Sequence, residues 1–326
     1  MSITSQIESF SELKILVIGD IMVDAYYFGA VDRISPEAPV PIISVSKKDH
    51  RLGGAANVAL NLISLGAKVS LCAVIGLDEE GRELLSLLSN EKIYTDGIYI
   101  DKSRPTTMKT RVISGTHHLM RIDHESTESI SAETENFLIS FVKKSIHSID
   151  AIIIEDYNKG LLTERLISEV ISIANHNNIP SVVDPKKENF FAYKNCTLFK
   201  PNRKEIREGL KTDLDLRLTT NVEKVADELM HILGCKNIMV TLSEDGVFVK
   251  SAKETSHIKA HDRTIIDVSG AGDTVVSVAA LCLASGMELD KSAELANIAG
   301  GLVCQKVGVV PINRQELLDE INKLKI

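Results

Sequence analysis

From Ser131 to Val249 short apolar runs alternate with amphipathic stretches, and this alternation constrains the fold more than any other feature of the chain. The runs Ala151–Ile154, Ser181–Val183, Leu198–Phe199 and Asn237–Leu242 are nearly continuous in apolar residues, as parallel strands covered on both faces must be. Between them, Ser131–His147, Thr163–Asn175 and Val222–Leu233 carry a helical period, with Ser131 and Thr163 placed as N-caps. Upstream, Lys14–Gly19 and Lys68–Ile75 read as two further buried strands and Glu79–Asn90 as a helix. The pattern predicts an α/β fold: a mostly parallel central sheet with helices on both faces.

Two segments break the rhythm. Residues 25–48 hold Pro36, Pro39 and Pro41, which forbid a helix, together with the β-like run Val40–Val45. Residues 96–124 turn β-like again at Gly97–Ile100, Thr106–Ser114 and His118–Ile122. Together they predict a small, discontinuous β lid on an otherwise single domain covering residues 1–326. No internal repeat or low-complexity linker divides the chain.

Charge excludes one class of partner. With 37 Lys and Arg against 45 Asp and Glu the net charge is −8, which argues against a broad nucleic-acid footprint. The five cysteines are scattered and form no C-x-x-C pair, so they read as core residues in a reducing cytoplasm. No basic, apolar leader opens the chain, and no stretch approaches a membrane span.

Chemistry concentrates where strands end. Asp20, Asp24, Asp156, Asp184 with Lys186, Asn202 with Glu205, and Thr241 with Ser243 all fall at or just after such ends, the ligand side of an open α/β sheet. Asn202 and Glu205, three apart at a helix start, share a face and suit magnesium held through its water shell. Near the C-terminus a strand-like stretch precedes Asp267-Val-Ser-Gly-Ala-Gly-Asp-Thr274, which enters a long apolar helix. A glycine-rich helix start favours a phosphate. Asp273 in its first turn suits either a complement to the helix dipole or a general base. Arg51-Leu-Gly-Gly-Ala-Ala-Asn57 is a second glycine-rich helix entry, fitted for ligand approach or for tight helix–sheet packing. The P-loop, the Rossmann fingerprint, H-E-x-x-H and G-x-S-x-G are all missing.

The ordered pair of glycine motifs, with Asn202-x-x-Glu205 between them, resembles the signatures of the ribokinase-like (PfkB) carbohydrate kinases over essentially the whole chain. Gly19–Asp24, Arg33-Ile-Ser-Pro-Glu-Ala-Pro-Val-Pro41, Thr110–Val112, Arg121–Asp123, Asp156–Gly160 and Asp184–Lys186 are similar to the branch acting on D-glycero-D-manno-heptose 7-phosphate. Glu155 departs from the small or apolar residue expected before Asp-Tyr.

The resemblance implies an ATP-dependent kinase acting on the anomeric hydroxyl. Asp273 would be the base, with the N–H groups of Gly270, Ala271 and Gly272 on the transferred phosphoryl group. Asp24, Gly53, Gly54, Asn57 and Asp156 would bind the sugar. Lys109, Arg111 and Arg121 would take its phosphate or form a dimer contact. Lys186 would meet ATP or remain a solvated loop lysine, with Thr241, Ser243, Gly246 and Asn297 on the nucleotide side. Asn202 and Glu205 would organise Mg2+, and Asp267 would contribute to a site for K+. The resemblance also implies a homodimer joined through the lid. Many relatives carry a fused nucleotidyltransferase; no H-x-G-H occurs here, so that step is expected on a separate polypeptide.

Overall fold

The computed structural model describes residues 3–324. After the helix α1 (Ile3–Ser9), the chain builds β1 (Lys14–Gly19), β2 (Ile21–Ile34) and β3 (Pro41–Gly54). There follow α2 (Ala55–Ser64), β4 (Lys68–Gly76), α3 (Glu79–Asn90), β5 (Tyr94–Asp101), β6 (Met108–Ser114) and β7 (His117–His124). The middle of the chain gives α4 (Ala132–Ser145), β8 (Ala151–Glu155), α5 (Glu164–His176), β9 (Ser181–Asp184) and β10 (Leu198–Phe199). The remainder is α6 (Arg203–Leu210), α7 (Thr219–Leu233), β11 (Asn237–Thr241), β12 (Val247–Ser251), β13 (Thr255–Ile258), α8 (Ala271–Ala284), α9 (Leu289–Val303) and α10 (Arg314–Leu324).

Nine strands form the central sheet in the order β13-β12-β11-β10-β9-β8-β1-β4-β5. The seven from β11 to β5 run parallel, and β12 and β13 are added antiparallel at one edge. Every residue of β8 and β9 is buried, so both faces of the sheet centre are covered, as their unbroken apolar runs require. Ser131 and Thr163 do cap α4 and α5, each accepting an N–H three residues on.

A second sheet of four strands, β3-β2-β6-β7, makes the lid. It corrects the expected boundaries. Its strands reach back to Ile21 and forward to Gly54, so the lid is continuous with both the first polar strand end and the glycine motif. Gly97–Ile100 does not belong to it: β5 pairs parallel with β4 as the far edge of the central sheet. Being an edge strand, β5 is only half covered, and its mixed burial mimics a lid strand in sequence.

Candidate active site

The parallel strands β8, β9, β10 and β11 lie side by side and end on one rim, so Glu155, Asp184, Lys200 and Thr241 arrive together. Asn202 follows as a single bridge beside Thr241. Facing this rim is the N-terminus of α8. Gly270 caps it at φ +81°, a left-handed conformation that glycine takes without strain. The strand expected just before this helix stops at Ile258. Residues 266 and 267 instead donate their N–H groups to the Cys304 carbonyl, which ties the approach to the end of α9 rather than to the sheet.

Asp273 lies in the first turn of α8, yet its carboxylate bonds outside its own helix. Asn57 Nδ2 donates to Oδ2 at 2.5 Å and the Tyr157 hydroxyl to Oδ1 at 3.0 Å. Burial raises the Asp273 carboxyl to about 6; the Asn57 bond opposes this, the Asp184 charge adds to it, and Tyr157 and Lys186 work against it. Such a group changes charge close to neutral pH, as a general base should. Of the three amides expected to face a phosphoryl group, that of Ala271 is engaged weakly by the Val268 carbonyl at 3.3 Å.

Lys186 donates to Glu205 at 2.7 Å and stands 3.7 Å from Asp184. Burial alone would lower its pKa, but Asp184, Glu205 and Glu155 outweigh that and keep it charged. Lys200, only 2% exposed, pairs with Asp184 at 3.0 Å. Asn202 and Glu205 form a reciprocal capping box at the start of α6. Both Glu205 oxygens are thereby engaged, one by Lys186 and one by the Asn202 N–H. These residues, with Thr241, Ser243, Gly246, Gly272 and Asn297, line a cleft of about 730 Å³ whose wall also carries Arg203, Lys204, Arg207 and Arg263. A cleft this rich in cations in an acidic protein suits a polyanionic ligand.

On the lid side, Gly53 lies so close to Asp24 that a Cβ there would stand 2.2 Å from its Oδ2. Asp24 accepts a charged hydrogen bond from Arg111, whose guanidinium also lies 5.2 Å from the Tyr26 ring centre. Lys109 and Arg121 are neutralised within the lid: Lys109 by Asp123 at 3.2 Å and Glu125 at 2.8 Å, Arg121 by Asp123 at 2.9 Å. Asp267 accepts the N–H groups of Ser269 and Gly308, both at 2.9 Å, and these bonds hold its carboxyl below the ordinary range.

Two strand-end carboxylates are engaged by the protein's own donors. Asp156 is fully buried, and its oxygens accept from Tyr193 at 2.6 Å, Asn189 at 3.2 Å and the Asn158 N–H at 2.8 Å. These bonds anchor the loop that follows β8. Asp20 likewise receives the N–H groups of Tyr157, Lys159 and Leu161, which fixes the turn that presents the Tyr157 hydroxyl. Local sequence marks no role for Tyr157 or Glu155; a lysine directly after a buried strand is the one signal at Lys200. Glu155 is wholly buried beside Asp184 and Asp273, which with burial push its carboxyl well above the usual value.

The family model described as pfkB family carbohydrate kinase matches residues 12–315. Curated relatives include the Bifunctional protein HldE of Trichlorobacter lovleyi, 40% identical over 98% of this chain and 65% of the relative. That of Helicobacter pylori strain HPAG1 is 39% identical over 95% of this chain and 66% of the relative. The chain thus spans just under two thirds of the length of these relatives. Among solved structures, Escherichia coli phosphofructokinase-2 in complex with potassium superposes with a TM-score of 0.80 at 20% identity, covering 96% of this chain and 100% of the other. A Thermotoga maritima ribokinase gives 0.71 at 18%, covering 95% and 99%. The fold is therefore ribokinase-like.

Proposed function

The chain belongs to the pfkB family of carbohydrate kinases, and from that membership we propose that it transfers the γ-phosphoryl group of ATP to the anomeric hydroxyl of D-glycero-β-D-manno-heptose 7-phosphate, giving the 1,7-bisphosphate. The observation that carries this reading is Asp273: a carboxylate with a pKa near 6, held by Asn57 and Tyr157 at a helix N-terminus beside the cation-lined cleft.

Asp273 takes the proton of the attacking hydroxyl, and the backbone at Gly270–Gly272 faces the charge that develops on the transferred group. Lys186 and Lys200 are the fixed positive charges nearest this point. Thr241, Ser243, Gly246 and Asn297 lie on the nucleotide side. Magnesium held here would supply positive charge to neutralise the ATP phosphates. Glu205 fits it as a holder of its water shell, because both of its oxygens already have protein partners. Asp267, on the loop tied to Gly308, is proposed to border a monovalent cation.

The heptose assignment rests on the motifs of the lid and strand ends, above all Arg33–Pro41, and is supported by the shared name of the curated relatives. Asp24, Gly53, Gly54 and Asn57 bind the sugar in this reading. Arg111 is the cation placed to meet the sugar's phosphate, exchanging Asp24 for it; Lys109 and Arg121 stand behind it with carboxylate partners of their own. All eight residues of β7 are exposed, Leu119, Met120 and Ile122 among them, which supports a homodimer formed through the lid. Sedimentation velocity of Met120→Lys against the parent chain tests that arrangement: a dimer should become a monomer.

Asp273→Asn tests the base. Turnover should fall by about 10²–10⁴-fold while ATP still binds. Substantial residual turnover would remove Asp273 from that role.

A further inference from the structure

Glu155 ends β8, and neither of its carboxylate oxygens meets a donor, although the residue is 0% exposed. Asp184 Oδ1, at the end of the neighbouring β9, is likewise buried and accepts no hydrogen bond, the Lys186 ammonium standing 3.7 Å away. One oxygen each from Glu155, Asp184 and Asp273 lies within 4.8 Å of the others. Buried carboxylates are ordinarily hydrogen-bonded or paired, and an exception calls for a ligand.

The nearby ammonium groups do not meet that demand. Lys200 is committed to Asp184 Oδ2 and Lys186 to Glu205, with Lys186 3.7 Å from Asp184 Oδ1. The four carboxyl groups of Glu155, Asp184, Asp273 and Glu205 face only two ammonium ions, so a divalent cation here would replace the proton that burial favours on Glu155. Only oxygen ligands converge, as hard cations of the magnesium and manganese class require.

We propose that Glu155 and Asp184 form, beside Asp273, a divalent-cation site held by the protein itself, occupied without nucleotide and separate from the magnesium that accompanies ATP. Glu155 and Asp184 supply the free oxygens, and Asp273, whose own oxygens are taken by Asn57 and Tyr157, borders the ion without binding it. The ion's binding does not depend on the kinase reading. Only its use does, as a fixed countercharge beside the transferring phosphoryl group.

The test is titration of the full, nucleotide-free chain with Mn2+, followed by electron paramagnetic resonance and by calorimetry. One ion per chain is expected, with affinity weakened at least tenfold in Glu155→Gln, a near-isosteric change. Mn2+ should also raise the thermal midpoint of the parent chain and not that of Glu155→Gln. Asp184→Asn gives a second variant should Glu155→Gln misfold, and it should lose the ion as well. No Mn2+ bound by the nucleotide-free parent would overturn the proposal, as would equal affinity in parent and variants. Because the readout is binding, failure to turn over any sugar would count against the kinase reading alone.

Discussion

Asn57 and Asp273, 216 residues apart in sequence, share a hydrogen bond of 2.5 Å, and this contact joins the end of the lid hairpin to the first turn of α8. Asn57 is in the first turn of α2, directly after the glycines that end β3. The path from Arg111 through Asp24 and Gly53 to Asn57 is therefore one line of packed groups that ends on the Asp273 carboxylate.

The bonds from Asn57 and Tyr157 both hold the Asp273 pKa down against burial. Removing either donor should raise it, so the acid limb of the pH–rate profile moves to higher pH. For Tyr157→Phe a displacement of about 1 unit is expected, since a hydrogen bond to a charged group is worth on the order of 1.5 kcal/mol. An unmoved limb with reduced kcat would show that Tyr157 acts only in packing.

In the parent chain, kcat/KM should fall as pH drops through about 6, where Asp273 gains its proton, rather than near the ordinary 3.8. A profile measured from pH 4.5 to 8 with magnesium held equal to ATP, so that no free ion lowers the Asp273 carboxyl, decides this. Activity level down to pH 5 would contradict it.

Asp20 makes a prediction about stability. Burial, opposed by the N–H bonds from Lys159, Tyr157 and Leu161 and helped by the Asp156 charge, raises its carboxyl from 3.8 to about 6. The folded state thus holds the proton more tightly than the unfolded chain. The contribution is full below the unfolded pKa and is lost as pH rises through about 6. Relative to Asp20→Asn, the parent should lose stability between pH 4 and pH 7, by roughly 3 kcal/mol at most. Urea unfolding of both chains at the two pH values measures it; a constant difference would show that the shift is absent.

If Arg111 meets the sugar's phosphate as proposed, Arg111→Met should raise KM for the sugar phosphate by about 10–100-fold and leave KM for ATP nearly unchanged. Equal effects on both would assign Arg111 to lid architecture instead.

Which of these features sequence could reveal follows from burial. The strands β1, β4, β8 and β9 are covered on both faces, so their apolar runs are unambiguous. β5 is not, and its edge position makes it read as a lid strand. The Asp267–Thr274 stretch announces an anion-binding helix start, but whether Asp273 caps its helix or serves as a base depends on Asn57 and Tyr157, two partners distant in sequence. Asp156 and Glu155 are adjacent carboxylates at one strand end. The first is consumed by Tyr193, Asn189 and Asn158, the second meets no donor, and nothing in the local sequence separates them.

The acceptor is identified by coupled detection of ADP with a panel of candidates: D-glycero-β-D-manno-heptose 7-phosphate, fructose 6-phosphate, ribose and a nucleoside. The heptose 7-phosphate should give the highest kcat/KM, with a new anomeric phosphate resonance in the phosphorus NMR spectrum of the product. Faster turnover of any other acceptor, or tight heptose phosphate binding without ADP release, would contradict it.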